Sequence, residues 1–164
     1  MPPAPFSKRT IENLAGLNPH ARERIEELME QAQPILDANG VRLEVISGLR
    51  SWQQQAALYA KGRTQPGKKV TNAPPGSSWH NYGLAVDFGI FRGSSYLDEA
   101  QPRTADKVYR EIAVIARSLG IEWAGDWKTF METPHFQYRP GISSIKEAKD
   151  RFQSRGMSVA RMLP

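Results

Sequence analysis

The stretch Ser77-Ser78-Trp79-His80-Asn81-Tyr82-Gly83-Leu84-Ala85-Val86-Asp87-Phe88 places the tightest constraint on how this chain can fold. Six residues separate His80 from Asp87, whereas neighbouring ligands on one helical face sit three or four apart. The spacing suits a loop that runs into a strand. Gly83 turns the chain, and Leu84 to Phe88 runs extended. His80 on the turn and Asp87 on the strand can then reach one point. A neutral imidazole and a carboxylate are ligands for a divalent transition metal, above all zinc. Two ligands rarely hold zinc, so a third is needed.

The third candidate is His135, in the segment Trp123-Ala124-Gly125-Asp126-Trp127-Lys128-Thr129-Phe130-Met131-Glu132-Thr133-Pro134-His135-Phe136. The remaining histidine, His20, follows Pro19 in the first turn of a helix, a position expected to be exposed, and has no assigned role. A His80, Asp87 and His135 set leaves one zinc position open for water, as hydrolysis requires. Glu132, three residues before His135, is placed to accept a proton from that water and pass it to a leaving amine. When water attacks an amide, charge builds on the carbonyl oxygen, and a fixed guanidinium can stabilise it. Arg50, on a turn at a strand end, is the candidate. The ordinary alternatives stay open for each: a structural histidine, a surface acid before a proline, a solvated arginine. Asp126 is read either as shaping the cleft or as accepting from a ligand histidine. Trp123 and Trp127 either shape the cleft or pack.

Composition narrows the chemistry further. There is no cysteine among 164 residues, which excludes disulfides, thiolate catalysis and cysteine-based zinc sites. The length suits one domain over 1–164, with a core of about 7–155 and a basic tail from Gly156 that is expected to be partly mobile. No run approaches the roughly 18 apolar residues of a membrane span, and the first nine residues lack the apolar core of a signal peptide. Synthesis in the cytoplasm is therefore expected. The net charge of +5 and the sequence pI near 9.6 fit a polyanionic partner such as a bacterial wall. The basic residues read as scattered, so the attraction is expected to be general. A nucleic-acid binder would rest on net charge alone, and no motif supports it.

The spacing of apolar residues predicts an α+β fold: a small, mainly antiparallel sheet flanked by helices. Helices are expected over Thr10–Leu17, from Pro19 to near Gly40 with Asn18 as N-cap, and over Trp52–Lys61 behind Ser51. Pro34 should kink or break the second of these. Further helices are expected from Thr104 to Gly120 and over Ile145–Ser154, the last with a Ser144/Glu147 capping box. Strands are expected at Val41–Ile46, Leu84–Phe88, Ile121–Trp123 and His135–Tyr138. Residues 63–78 and 93–103 read as long loops, the first leading to His80.

Ser78-x-His80-x-x-Gly83-x-Ala85-x-Asp87 resembles the S-x-H-x-x-G-x-A-x-D signature of the zinc D,D-peptidases, the VanY-like and VanX-like enzymes of the M15 group. Glu132-x-x-His135 is similar to their second motif, and Ser47-Gly48-Leu49-Arg50-Ser51 to the segment bearing their carbonyl-binding arginine, with Leu49 at a usually aromatic position. Gln55, Ala57, Leu58, Tyr59 and Gly62-Arg63-Thr64, then Trp123-x-Gly125-Asp126-Trp127 and Pro134-His135-Phe136-Gln137, resemble the L-alanyl-D-glutamate peptidase branch, which includes phage endolysins. The resemblance implies the hedgehog/D,D-peptidase fold and one zinc ion per chain. It implies His80, Asp87 and His135 as ligands, Glu132 as base and Arg50 as the carbonyl-polarising residue. Ser78, Gln55, Asp126 and Trp127 become substrate-binding candidates. The implied activity is hydrolysis of peptidoglycan stem peptides at the L-alanyl-D-glutamate bond, in the setting of a phage endolysin that reaches the wall through a holin lesion. The alternatives are a D-alanyl-D-alanine carboxypeptidase or dipeptidase and a non-catalytic, zinc-holding wall-binding module. Peptidoglycan is the expected partner, with no nucleic acid, no membrane and a monomeric state.

Overall fold

The computed structural model describes residues 6–164; the Pro-rich residues 1–5 lie outside it. The helices are α1 (Lys8–Ala15), α2 (Pro19–Asn39), α3 (Trp52–Ala60), α4 (Leu97–Ala100), α5 (Pro102–Ser118) and α6 (Ile145–Ser154). The strands are β1 (Arg42–Ser47), β2 (Ala85–Arg92), β3 (Ser95–Tyr96), β4 (Glu122–Trp123) and β5 (His135–Gln137). They pair antiparallel in the order β1-β2-β5-β4, with β3 also on β2. The expected α+β architecture is therefore present.

Local chemistry explains most of these elements. The Asn18 side chain accepts from the backbone N–H groups of His20 and Ala21, Pro19 opens α2, and Gly40 ends it in the left-handed region at φ 62°. The break expected at Pro34 does not occur, since α2 runs on to Asn39. Pro34 and Glu30 are both exposed, so the carbonyl that loses its helical partner faces water, where solvent satisfies it. Helix α1 starts at Lys8, because the Ser7 hydroxyl caps it from one residue earlier. The predicted loop at 93–103 instead holds β3, α4 and the first turn of α5. The Asp98 carboxylate accepts from the Ile90 N–H and from the Tyr109 hydroxyl, and this ties the segment to the sheet.

One face of the sheet packs on α2 and α5 through Ile25, Leu28, Val45, Phe88, Tyr109, Ile112 and Phe136. A second cluster of Tyr82, Leu84, Ile142, Phe152, Met162 and Leu163 sits beyond the turn that carries His80. The tail is thus not loose as expected. Met162 and Leu163 are buried, and Asn18 Nδ2 donates to the Val159 carbonyl at 3.0 Å. Apolar residues at the end of a basic segment dock where the α2 cap offers a polar partner. The Ser144 cap of α6 forms, but Glu147 reaches past it to the Ser143 N–H and hydroxyl at 2.8 and 2.7 Å, so the capping box is one-sided.

Candidate metal centre and active site

In the β2–β5 pair, Asp87 lies directly opposite His135. Residues facing each other across an antiparallel pair project to the same side of the sheet, so register alone brings these two side chains together. His80 arrives from a 3-10 turn over Trp79–Tyr82 that Ser78 caps and Gly83 ends at φ 67°. A Cβ on Gly83 would lie 2.4 Å from Val159 Cγ1 and 2.9 Å from the Asn18 nitrogen, so the turn packs where only glycine fits. The turn is fastened to the end of β1: the Arg50 N–H donates to the His80 carbonyl at 3.0 Å, and Asn81 Nδ2 donates to the Arg50 carbonyl at 2.9 Å.

The resulting cluster is tight. Asp87 Oδ1 lies 3.2 Å from His80 Nε2 and 3.0 Å from His135 Nδ1. Ligand atoms at opposite ends of a tetrahedral edge around zinc, each ~2.0–2.1 Å from the ion, would be roughly 3.3 Å apart. Both distances to Asp87 lie within a few tenths of an ångström of that edge, and the three ligand atoms all lie within 4.8 Å of one another, so the donor set fits such an ion.

Hydrogen bonding at the back of each ring fixes which nitrogen is free. His80 Nδ1 is 2.8 Å from the Gly48 carbonyl, which can only accept, so that nitrogen carries the hydrogen. Gln137 Nε2 donates to Glu122 Oε2 at 2.8 Å, so its Oε1 is the atom that faces His135 Nε2 at 2.9 Å and accepts from it. Glu122 is in turn paired with Arg139 at 2.9 Å. In their neutral forms both imidazoles therefore aim a lone pair at the Asp87 carboxylate. Three electron-rich atoms with no hydrogen between them need a cation, either a proton or a metal. No cysteine competes for the site, and nitrogen and carboxylate donors suit zinc.

The titration of the metal-free cluster reflects the same conflict. Burial pushes the Asp87 carboxyl up, but the adjacent His80 and the hydrogen bonds from both imidazoles hold it well below the usual carboxylate range. Burial pulls His135 down, yet its hydrogen bond and charge contact with Asp87 outweigh this and leave it raised. His80 and His135 are 3% and 7% exposed, whereas a quarter of the Asp87 side chain remains open. That opening faces a cleft of about 570 Å3.

Glu132 and Arg50 line this cleft with the three ligand candidates. Arg50 Nη2 is 3.7 Å from Asp87 Oδ2. Its guanidinium is held by Gln55 Oε1 at 2.9 Å and Ser47 Oγ at 3.2 Å, so its position is set before any ligand arrives. Gln55 is fully buried and also donates to the Ala73 carbonyl at 2.8 Å. It braces Arg50 and the cleft wall, and does not line the cleft. Ser78 both lines the cleft and accepts from the His80 N–H at 3.3 Å. Trp127 lines it too, with its ring 5.5 Å from that of His135.

Asp126 lies elsewhere. Its carboxylate accepts from Arg117 Nε and Nη2 at 2.9 and 2.7 Å, over a separate depression beside Ile121 and Glu122. It neither lines the cleft nor accepts from a ligand histidine. Gln137 does the latter, and sequence reasoning gave it no role. The signal was present: His135 and Gln137 are two apart in a strand and so share a face, and Gln137 is a polar side chain in a short apolar strand. The Gly48 carbonyl had no such signal, because a backbone acceptor looks the same in any sequence.

Residues 71–138, which hold His80, Asp87, Glu132 and His135, match the M15 peptidase family model described as D-alanyl-D-alanine carboxypeptidase. The chain is 39% identical over 107 residues to the peptidoglycan L-alanyl-D-glutamate endopeptidase CwlK of Bacillus subtilis (strain 168), an alignment covering 62% of this chain and 63% of that protein. It is 29% identical over 133 residues to the L-alanyl-D-glutamate peptidase of Listeria phage A118, covering 81% of this chain and 42% of that one. The chain thus spans less than two thirds of the length of either relative. Among solved structures, the L-Ala D-Glu endopeptidase ChiX of Serratia marcescens superposes with a TM-score of 0.54 at 29% identity, covering 80% of this chain and 87% of that chain. Solved D,D-peptidases at 20–21% identity share the fold, and at that distance show the fold alone.

Proposed function

We propose that the chain is a zinc metallopeptidase of the M15 peptidase family, whose model matches residues 71–138, and that it hydrolyses peptidoglycan stem peptides at the L-alanyl-D-glutamate bond. The observation that carries this reading is the convergence of two imidazole lone pairs on the Asp87 carboxylate, at the floor of a cleft that Glu132 and Arg50 also line. The bond follows the printed activities of the relatives from Bacillus subtilis, Listeria phage A118 and Serratia marcescens.

His80 Nε2, Asp87 and His135 Nδ1 would hold one zinc ion, whose Lewis acidity makes water nucleophilic near neutral pH and polarises a carbonyl. Gly48 and Gln137 hold the two rings in the required tautomers. Glu132 takes the proton that the attacking water loses and returns it to the amine that leaves. Arg50, braced by Gln55 and Ser47, meets the charge that develops on the carbonyl oxygen. Ser78 and Trp127 supply cleft surface against the peptide. The phage relative supports a lytic role at the cell wall, with delivery through a holin lesion as the route such a role implies. Among the described residues, no helix is long and apolar enough to cross a membrane.

Digestion of purified peptidoglycan by the zinc-loaded protein, read by mass spectrometry, tests the reading. Stem peptides beginning at D-glutamate, with L-alanine left on the glycan, are expected. Release of D-alanine instead would favour a carboxypeptidase, the activity in the matched family's description. A Glu132→Gln protein should keep its zinc and lose about 10²–10⁴-fold in turnover. A wild-type protein that holds zinc and cleaves neither bond would point to a non-catalytic wall-binding module.

A further inference from the structure

The net charge of this chain is not spread over it. No acid occurs between Glu44 and Asp87, while Arg50, Lys61, Arg63, Lys68 and Lys69 fall in that interval. These five residues account for the whole excess of +5, and the other 17 basic residues are matched by all 17 acids. The scattered appearance of lysine and arginine in the sequence hides this division. Most of the cleft lining comes from the same acid-free interval, including Arg50, Leu58, the run from Val70 to Pro74, and Ser77 to His80. The acids that line the cleft, among the described residues, are Asp87 and Glu132, and the proposed chemistry uses both.

The wall that bears the cations is a built surface. Gly62, at φ 73°, packs against the returning chain so closely that a Cβ there would lie 2.6 Å from the Lys69 nitrogen and 2.9 Å from the Lys68 carbonyl carbon. The Arg63 guanidinium stacks 3.8 Å from the centre of the Tyr59 ring and donates to the carbonyls of Tyr59 and Thr71 at 2.7 and 3.1 Å. Gln55 holds the Ala73 carbonyl from beneath. Lys68 and Lys69, whose backbone is packed against Gly62, directly precede the cleft-lining residue Val70, and both are exposed. Among the described residues the ion pairs include none to Lys61, Arg63, Lys68 or Lys69, so these cations bias this side of the cleft toward a positive potential.

We infer that this wall selects stem peptides with a free carboxylate beside the scissile bond, with Lys68 and Lys69 as specificity-determining residues. The inference rests on the proposed cleavage at L-alanyl-D-glutamate. A peptide that continues beyond D-glutamate through one of that residue's two carboxyl groups leaves the other free, next to the bond to be cut. Amidation of that group removes its charge and changes little else in its shape. The wall therefore distinguishes the two forms by charge.

Binding of two synthetic stem peptides, one with the free carboxylate and one with the carboxamide, is measured by calorimetry on zinc-loaded Glu132→Gln protein. This keeps recognition apart from turnover. At low salt the carboxylate peptide is expected to bind on the order of five- to tenfold more tightly, with the gap narrowing at 0.5 M salt. In a Lys68→Glu/Lys69→Glu background the two affinities should converge, with zinc content and melting temperature as checks on folding. Equal affinity of the two peptides at low salt overturns the inference, as does a preference that survives the double substitution in a folded protein. Hydrolysis of the same peptides by the wild type reports separately on the cleavage reading. If neither is cleaved, that reading fails, while the binding comparison still decides the role of the wall.

Discussion

Replacing Gln137 with Met tests whether the tautomer of His135 is set from behind. Met is similar in volume and leaves the packing of β5 nearly unchanged, but it offers His135 Nε2–H no adequate acceptor. The lost contacts are the 2.9 Å bond to His135 and the 2.8 Å bond to Glu122. Gln137 is 1% exposed, so water does not readily replace them. A buried donor left without a partner costs about 1–3 kcal/mol. For a chain of this length that corresponds to a melting temperature lower by roughly 2–12 °C. Glu122 keeps Arg139 and contributes little to the loss. With its orienting acceptor gone, His135 no longer holds Nδ1 as the free nitrogen, and zinc should bind about 10–100-fold more weakly. Competition against a chromophoric chelator measures this. Gln137→Glu is the control. Its carboxylate can accept from His135 and should restore most of the zinc affinity, while its repulsion with Glu122 keeps the protein less stable. If Gln137→Met lost stability but bound zinc like the wild type, Gln137 would be a packing residue only, and the tautomer argument would be wrong.

The metal-free protein should show a limited range of pH in which the cluster stabilises the fold. Asp87 is depressed, so its contribution is present above about pH 4 and lost as pH falls; His135 is raised, so its contribution is complete below about pH 6.5 and lost as pH rises through its folded value. Melting temperatures with and without zinc should therefore diverge above neutral pH, where the ion replaces the proton, and parallel curves would contradict this. Gly83→Ala should cost about 1–3 kcal/mol or more, because it adds a left-handed alanine to a 2.4 Å clash with Val159. Urea denaturation would measure that cost, and a loss below 0.5 kcal/mol would show that the turn can shift.

Helix caps and apolar periodicity were readable in the chain because they are local. Asn18-Pro19 and Gly40 bracket α2 in the sequence as they do in the structure. The turn at Gly83 is readable for the same reason, since few residues besides glycine accept its backbone angles. The segment 93–103 was not readable. Its short strand and helix have little pattern of their own, and they are held by Asp98 bonding to Ile90 and Tyr109 from other elements. The tail misled in the same way, since its basic residues suggested mobility and its two terminal apolar residues decided its place.

The proposed donor set was legible in residue types alone. Two histidines and an aspartate with the acid Glu132 nearby, in a chain without cysteine, leave few other metal chemistries. How those donors are presented depends on contacts between distant elements. The pairing of Asp87 with His135 is a matter of strand register, and the choice of His80 Nε2 and His135 Nδ1 depends on acceptors at Gly48 and Gln137. Tertiary structure also separated Asp126 from its neighbour Trp127, sending one to Arg117 and the other to the cleft. Residue type limits what a side chain can do, but hydrogen-bond direction and register are properties of pairs. Pairs distant in the chain are fixed only when the fold brings them together.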